Sequence, residues 1–119
     1  MELDHITWIS LLYDFYGQLL TKRQREVMEL YHEENLSLSE IADEFSISRQ
    51  GVHDALKNAE KALESYEEKM GLLEKFQKSR QAIRDIDAAI DELAEECSDS
   101  HMTEKLQKIK EIIDRQLGE

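Results

Sequence analysis

Proline is absent from all 119 residues, and glycine occurs only four times. Almost nothing therefore interrupts helix formation except a few defined points. β-branched runs are few, and none alternates with polar residues as a half-buried strand would. Cys97 is the single cysteine, so no internal disulfide can form. It lies on an apolar stripe, which predicts a buried, reduced thiol. Basic charge is scarce: 15 Lys and Arg stand against 27 Asp and Glu, a net charge of −12, which repels phosphates overall. No apolar stretch approaches the roughly twenty residues of a membrane span, and the longest apolar cluster, Ile9 to Leu12, is broken by Ser10. Met1-Glu2-Leu3-Asp4-His5 lacks the basic start and apolar core of a signal peptide. The expectation is a cytoplasmic protein with no membrane partner.

Sites for chemistry are equally thin. The four histidines, His5, His32, His53 and His101, include no pair at metal-ligand spacing on one helix, and Cys97 has no cysteine partner. Neighbouring acids such as Glu33-Glu34, Glu67-Glu68 and Glu95-Glu96 point different ways on a helix and read as surface charge. There is neither a glycine-rich phosphate loop nor a nucleophile elbow. These absences predict a protein that is not an enzyme and takes no cofactor, metal or small-molecule substrate.

What the chain does hold is helical periodicity, and the fold class it predicts is all-α. Ile6, Ile9, Leu12, Tyr13 and Tyr16 mark a first helix over 6–16, with Gly17 as a left-handed stop. Thr21 and Gln24 have capping-box spacing before a second helix that buries Val27, Met28, Leu30 and Tyr31, and Asn35 can leave it in a left-handed turn. Ser37 and Glu40 form a second capping box, with Leu36 and Ile41 as its hydrophobic staple; Ile41, Ala42 and Phe45 point inward. Ser48 caps a fourth helix whose stripe runs through Val52, Ala55, Leu56, Ala59 and Leu63 to Tyr66 and Met70, where Lys69 and Gly71 end or bend it. Phe76, Ser79, Ile83, Ile86, Ile90, Leu93 and Cys97 then alternate steps of three and four as a coiled-coil seam does. Ser98-Asp99-Ser100 predicts a turn, and Leu106, Ile109, Ile113 and Leu117 a last helix returning antiparallel.

Residues 38–58 read as two helices meeting at a sharp angle. Ala42 is the small residue where they cross; Ile41, Phe45, Ile47, Val52 and Ala55 lock the corner. The tight turn favours glycine or asparagine, but Ser46 stands there. Thr21-Lys22-Arg23-Gln24-Arg25-Glu26-Val27, Leu36 to Phe45 and Ile47-Ser48-Arg49-Gln50-Gly51-Val52 resemble the fourth region of bacterial sigma factors. With Ser48 to Leu63 and Tyr66 to Leu72 included, the chain is more similar still to the YlxM family of small bacterial helix-turn-helix proteins, over residues 5 to about 95. That resemblance implies a DNA-binding or regulatory role and, through gene neighbourhood, a link to the signal recognition particle pathway.

The expected organisation is a helix-turn-helix domain over 1–70, sigma region 4-like, and a C-terminal helical hairpin over 71–119 that forms a homodimer. If the fourth helix enters a major groove, Arg49, Gln50, His53 and Lys57 face the bases and Ser48 holds a phosphate at the helix N-terminus; Asp54 shares that face. Lys22, Arg23 and Arg25 grip the backbone. Against this, residues 21–61 carry six basic and nine acidic groups. The alternative is an adaptor that docks a protein or ribonucleoprotein, such as a signal recognition particle component, through its acidic helical surface.

Overall fold

In the computed structural model, which describes residues 4–118, the helices are α1 (His5–Tyr16), α2 (Lys22–Met28), α3 (Leu38–Phe45), α4 (Arg49–Met70), α5 (Leu72–Glu96) and α6 (Ser100–Leu117). Met1 to Leu3, read above for a leader, and Glu119 lie outside the described residues. Among the described residues there is no strand, and no helix is long and apolar enough to cross a membrane. Two compact units divide the chain, one ending at Leu73 and the other beginning at Glu74.

The caps form where the side chains dictate. Thr21 Oγ1 accepts from the Gln24 amide at 3.1 Å while Gln24 Oε1 accepts from the Thr21 amide at 3.0 Å. Ser37 and Glu40 repeat the exchange at 3.1 and 2.9 Å. Ser48 Oγ accepts from the Gly51 amide at 2.9 Å. Each bond satisfies a backbone N–H that has no partner inside its helix. Asn35 and Ser46 are both left-handed, with φ of 56° and 55°.

Three local expectations are corrected. Gly17 does not use left-handed freedom: its φ is −55°, and a 3-10 turn over Gly17–Leu19 continues from α1. Its missing side chain serves packing instead, since a Cβ there would stand 3.1 Å from the Tyr13 ring. The second helix widens into a π-helical turn over Glu29–Glu33, closed by the Glu34 amide on the Glu29 carbonyl. That extra residue rotates the helical face, so Tyr31 turns outward and His32 is drawn half inside. Met70 is exposed at the last residue of α4, leaving Tyr66 as the end of the inward stripe.

The first unit closes around one core. Ile9, Leu12 and Tyr16 of α1, Val27 and Met28 of α2, Ile41 and Ala42 of α3, and Val52, Leu56, Ala59 and Leu63 of α4 are buried in one cluster. Each fully buried aliphatic side chain contributes roughly 1.5–3 kcal/mol relative to exposure. Gly71 then breaks the chain in the left-handed region at φ 61°. The first amides of α5 are satisfied from outside it: Leu72 N–H donates to the Tyr16 hydroxyl at 3.2 Å and Leu73 N–H to Glu67 Oε1 at 3.0 Å. The Tyr16 hydroxyl in turn donates to that carboxylate. A buried aromatic of α1 thus fixes where α4 ends and α5 begins.

The second unit is an antiparallel hairpin. Asp99 caps α6 by accepting from the His101 amide at 2.9 Å, and the Arg80 guanidinium donates to the Leu117 carbonyl at the far end. Ile90, Leu106 and Ile113 form its core, with Ile83, Ala94 and Leu117 packed against them. Within one chain the hairpin buries only part of the seam read from sequence. Phe76, Ile86, Leu93 and Ile109 are exposed, because two helices alone can bury only one stripe of each. Cys97 is half-buried and free rather than buried, since it falls just past the end of α5.

Two substitutions test the corner. Ala42→Leu overpacks the crossing and is expected to cost about 1–3 kcal/mol; a urea midpoint equal to the parent's would contradict the joint. Ser46→Gly relieves left-handed strain of about 1–2 kcal/mol, offset in part by the flexibility glycine adds to the unfolded chain. It is expected to raise the urea midpoint.

Candidate nucleic-acid interface

The helix-turn-helix consists of α3, the left-handed Ser46 and α4. Ile41, Ala42, Val52 and Leu56 are buried where the helices cross, with Phe45, Ile47 and Ala55 packed around them. The buried phase of α4 sets its exposed phase. Ser48, Arg49, Gln50, His53, Asp54 and Lys57 all lie exposed over the first turns of the helix. Six of the residues expected at the interface or beside it are thus brought together on one face.

Those side chains differ in freedom. Gln50 Nε2 donates to Asp54 Oδ1 at 3.0 Å, one helical turn along, and His53 Nδ1 lies 3.7 Å from the same carboxylate oxygen. Asp54 is therefore an organiser of this face as well as a negative charge on it. Its bond holds the Gln50 amide by the nitrogen and leaves the carbonyl oxygen of that amide open as an acceptor. Arg49 and Lys57 make no hydrogen bond or ion pair among the described residues, so their cations are available, Arg49 in the first turn of α4 and Lys57 two turns further on.

The three basic residues of α2 take separate positions. Lys22 is exposed and lies 3.9 Å from Glu26. The Arg23 guanidinium stacks over the Phe45 ring at 4.5 Å, joining α2 to the end of α3 beside the corner. Arg25 is half-buried in the last turn of α2.

Two grooves flank the head. One, of about 540 Å³, gathers His5, His32 and His53 with Tyr31, Lys57 and Glu60. Sequence spacing could not show this, because its residues come from α1, the π-helical turn and α4. His5 Nε2 lies 3.2 Å from Glu60 Oε1. Among the described residues no group of three His, Cys, Asp or Glu side chains could hold a metal ion. The other groove, of about 470 Å³, is lined by Glu26, Glu29, Glu33, Glu34 and Glu44 with Leu30 and Phe45. It concentrates negative potential on one side of the corner.

His32 supplies a pH test. Its Nε2 is buried with no hydrogen-bond partner among the described residues. Burial lowers its pKa below the ordinary 6.5; nearby Glu60 opposes that shift and His5 adds to it. The unfolded chain therefore binds this proton more readily than the folded one. The stability from keeping the ring neutral is complete above pH 6.5 and is lost as the pH falls from there through the lower folded value. Urea midpoints measured across that range are expected to fall with acid, and His32→Gln to flatten the fall. An unchanged slope would remove His32 as the cause.

Comparison with known proteins agrees with this architecture. Residues 3–111 match the model of the UPF0122 family, described as "Putative helix-turn-helix protein, YlxM / p13 like". A UPF0122 protein of Caldanaerobacter subterraneus is 52% identical over 87 residues, 73% of this chain and 74% of that protein. UPF0122 proteins of Bacillus cereus and Bacillus anthracis are 41% identical over 113 residues, 95% of this chain and 97% of theirs. With a family match over nearly its whole length and α3 and α4 packed together across the left-handed Ser46, the chain belongs to the UPF0122, YlxM/p13-like family of helix-turn-helix proteins.

Proposed function

We propose that this protein is a DNA-binding regulatory protein of the cytoplasm, not an enzyme, which acts as a homodimer and reads the major groove with the first turns of α4. The observation that carries this is the single exposed face of Ser48, Arg49, Gln50, His53 and Lys57, held at a fixed angle by a buried corner. The roles follow from donor and acceptor chemistry. Arg49 pairs with guanine edges. Gln50, steadied by Asp54, offers its carbonyl oxygen to the adenine amino group. Ser48 and the N-terminus of α4 take a phosphate, His53 and Lys57 extend the contact along the groove, and Lys22, Arg23 and Arg25 take the flanking backbone. With a net charge of −12, little non-specific attraction is available, so affinity depends on base contacts and on two heads acting together.

A second reading is carried by the groove of five glutamates around Leu30 and Phe45. It suits a basic protein or ribonucleoprotein segment that buries apolar residues between its cations. Under that reading the protein is an adaptor, and signal recognition particle components are the partner class that the family resemblance suggests.

Selection from random duplexes at low salt, followed by affinity measurements on the enriched sequence, separates the two readings. Arg49→Ala is expected to lose about 1–3 kcal/mol and relax the preference. Lys22→Ala should weaken all duplexes alike and reduce the salt slope by about one. Asp54→Asn should raise affinity broadly, because the carbonyl still accepts from Gln50 while a repulsive charge is gone. An absence of enrichment, with no loss on Arg49→Ala, would transfer the case to the adaptor.

A further inference from the structure

The hairpin formed by α5 and α6 has two unlike faces. On one, Lys110 lies 2.9 Å from Asp87 and also pairs with Asp91, and both aspartates raise its pKa. Helical phase places Ile86 and Leu93 of α5, and Met102, Ile109 and Ile112 of α6, on the opposite face of the antiparallel pair. All five are between 42 and 55% exposed. Among the described residues, the second unit's own buried cluster is Ile90, Leu106 and Ile113. A contiguous apolar face of this kind on so slight a core marks an interaction surface.

The charges along its edges say what covers it. Asp85, Glu92 and Glu96 run down the α5 edge; Lys105, Lys108 and Arg115 run down the α6 edge, and all six are exposed. None has an ionic partner among the described residues; Asp85 accepts only from the neutral Gln81 amide. The α5 edge also carries Lys78, which lies at the open end of the hairpin and pairs with Glu74 at 3.0 Å; over Asp85 to Glu96 that edge is acidic and the α6 edge facing it in a second copy is basic, so the face is complementary to itself in one orientation. A two-fold axis running along the hairpin lays the α5 edge of one copy on the α6 edge of another. It brings Glu92 to the level of Lys105 and Lys108, and Asp85 to the level of Arg115. The other two-fold that apposes these faces, across the hairpin, would set acid on acid and base on base.

We propose that a second copy of this chain covers the Ile86, Leu93, Ile109, Ile112 face in the first of these orientations, making an antiparallel four-helix bundle with α5 of each copy against α6 of the other. The inference rests on the reading that the protein acts as a homodimer. It is tested without DNA, so its failure and that of DNA recognition register separately.

The test is sedimentation equilibrium of the whole chain at low salt. The parent is expected to be dimeric, and Ile109→Asp monomeric. Glu92→Lys and Lys105→Glu should each weaken the dimer roughly tenfold or more, and the double variant should restore most of the loss. Helical content by circular dichroism confirms that each variant is folded; these positions are exposed, and the double variant guards against a folding defect in either single one. Tighter association of Glu92→Lys would mean that α5 packs on α5 and would overturn the orientation. A monomeric parent at every concentration, or variants that all associate like the parent, would overturn the interface.

Discussion

Everything that this protein can present to a partner through its first unit depends on one corner. Ser46 holds the left-handed region without being glycine, and the turn it makes is sealed at once by Ile41 and Ala42 on one side and Val52 and Leu56 on the other. Strain in the backbone at Ser46 is offset by the burial of these side chains in one cluster. Because the corner is buried, the phase of α4 is fixed, and with it the set of residues that meet solvent. α1 and α2 close over the same cluster, and the Tyr16 hydroxyl carries the order on to the break at Gly71.

The electrostatics of the head follow from that fixed phase. A chain with a net charge of −12 gains little from the general attraction that most nucleic-acid-binding proteins use. Its acids are unevenly placed: five glutamates line a groove beside α2 and Phe45, whereas the first turns of α4 carry Arg49, His53 and Lys57 with Asp54 as the one acid among them. Asp54 accepts from Gln50 and so costs attraction while it supplies order. If this face reads DNA as proposed, such a surface would favour selectivity over affinity.

Local features were readable from the sequence because their causes are local. The boxes at Thr21 and Ser37 and the cap at Ser48 need only a side chain and a backbone amide three residues apart, and the left-handed Asn35 needs only its own short side chain. The π-helical turn was not readable, since one extra residue hardly alters apolar spacing, yet it turns Tyr31 out and His32 in. Neither was the stack of Arg23 on Phe45, nor the meeting of His5, His32, His53 and Glu60, which only tertiary packing creates. The stripe through Ile83, Ile86, Ile90 and Leu93 repeats at seam spacing throughout, so nothing in it distinguishes the residues one hairpin can bury from those it leaves outside.

Amide chemical-shift mapping during titration with an enriched duplex at low salt tests most directly whether α4 is the reading element. The account predicts shifts concentrated at residues 48–57, with a second, weaker set at 22–25. No shift on α4, or shifts confined to the groove of Glu26, Glu29, Glu33, Glu34 and Glu44, would contradict it.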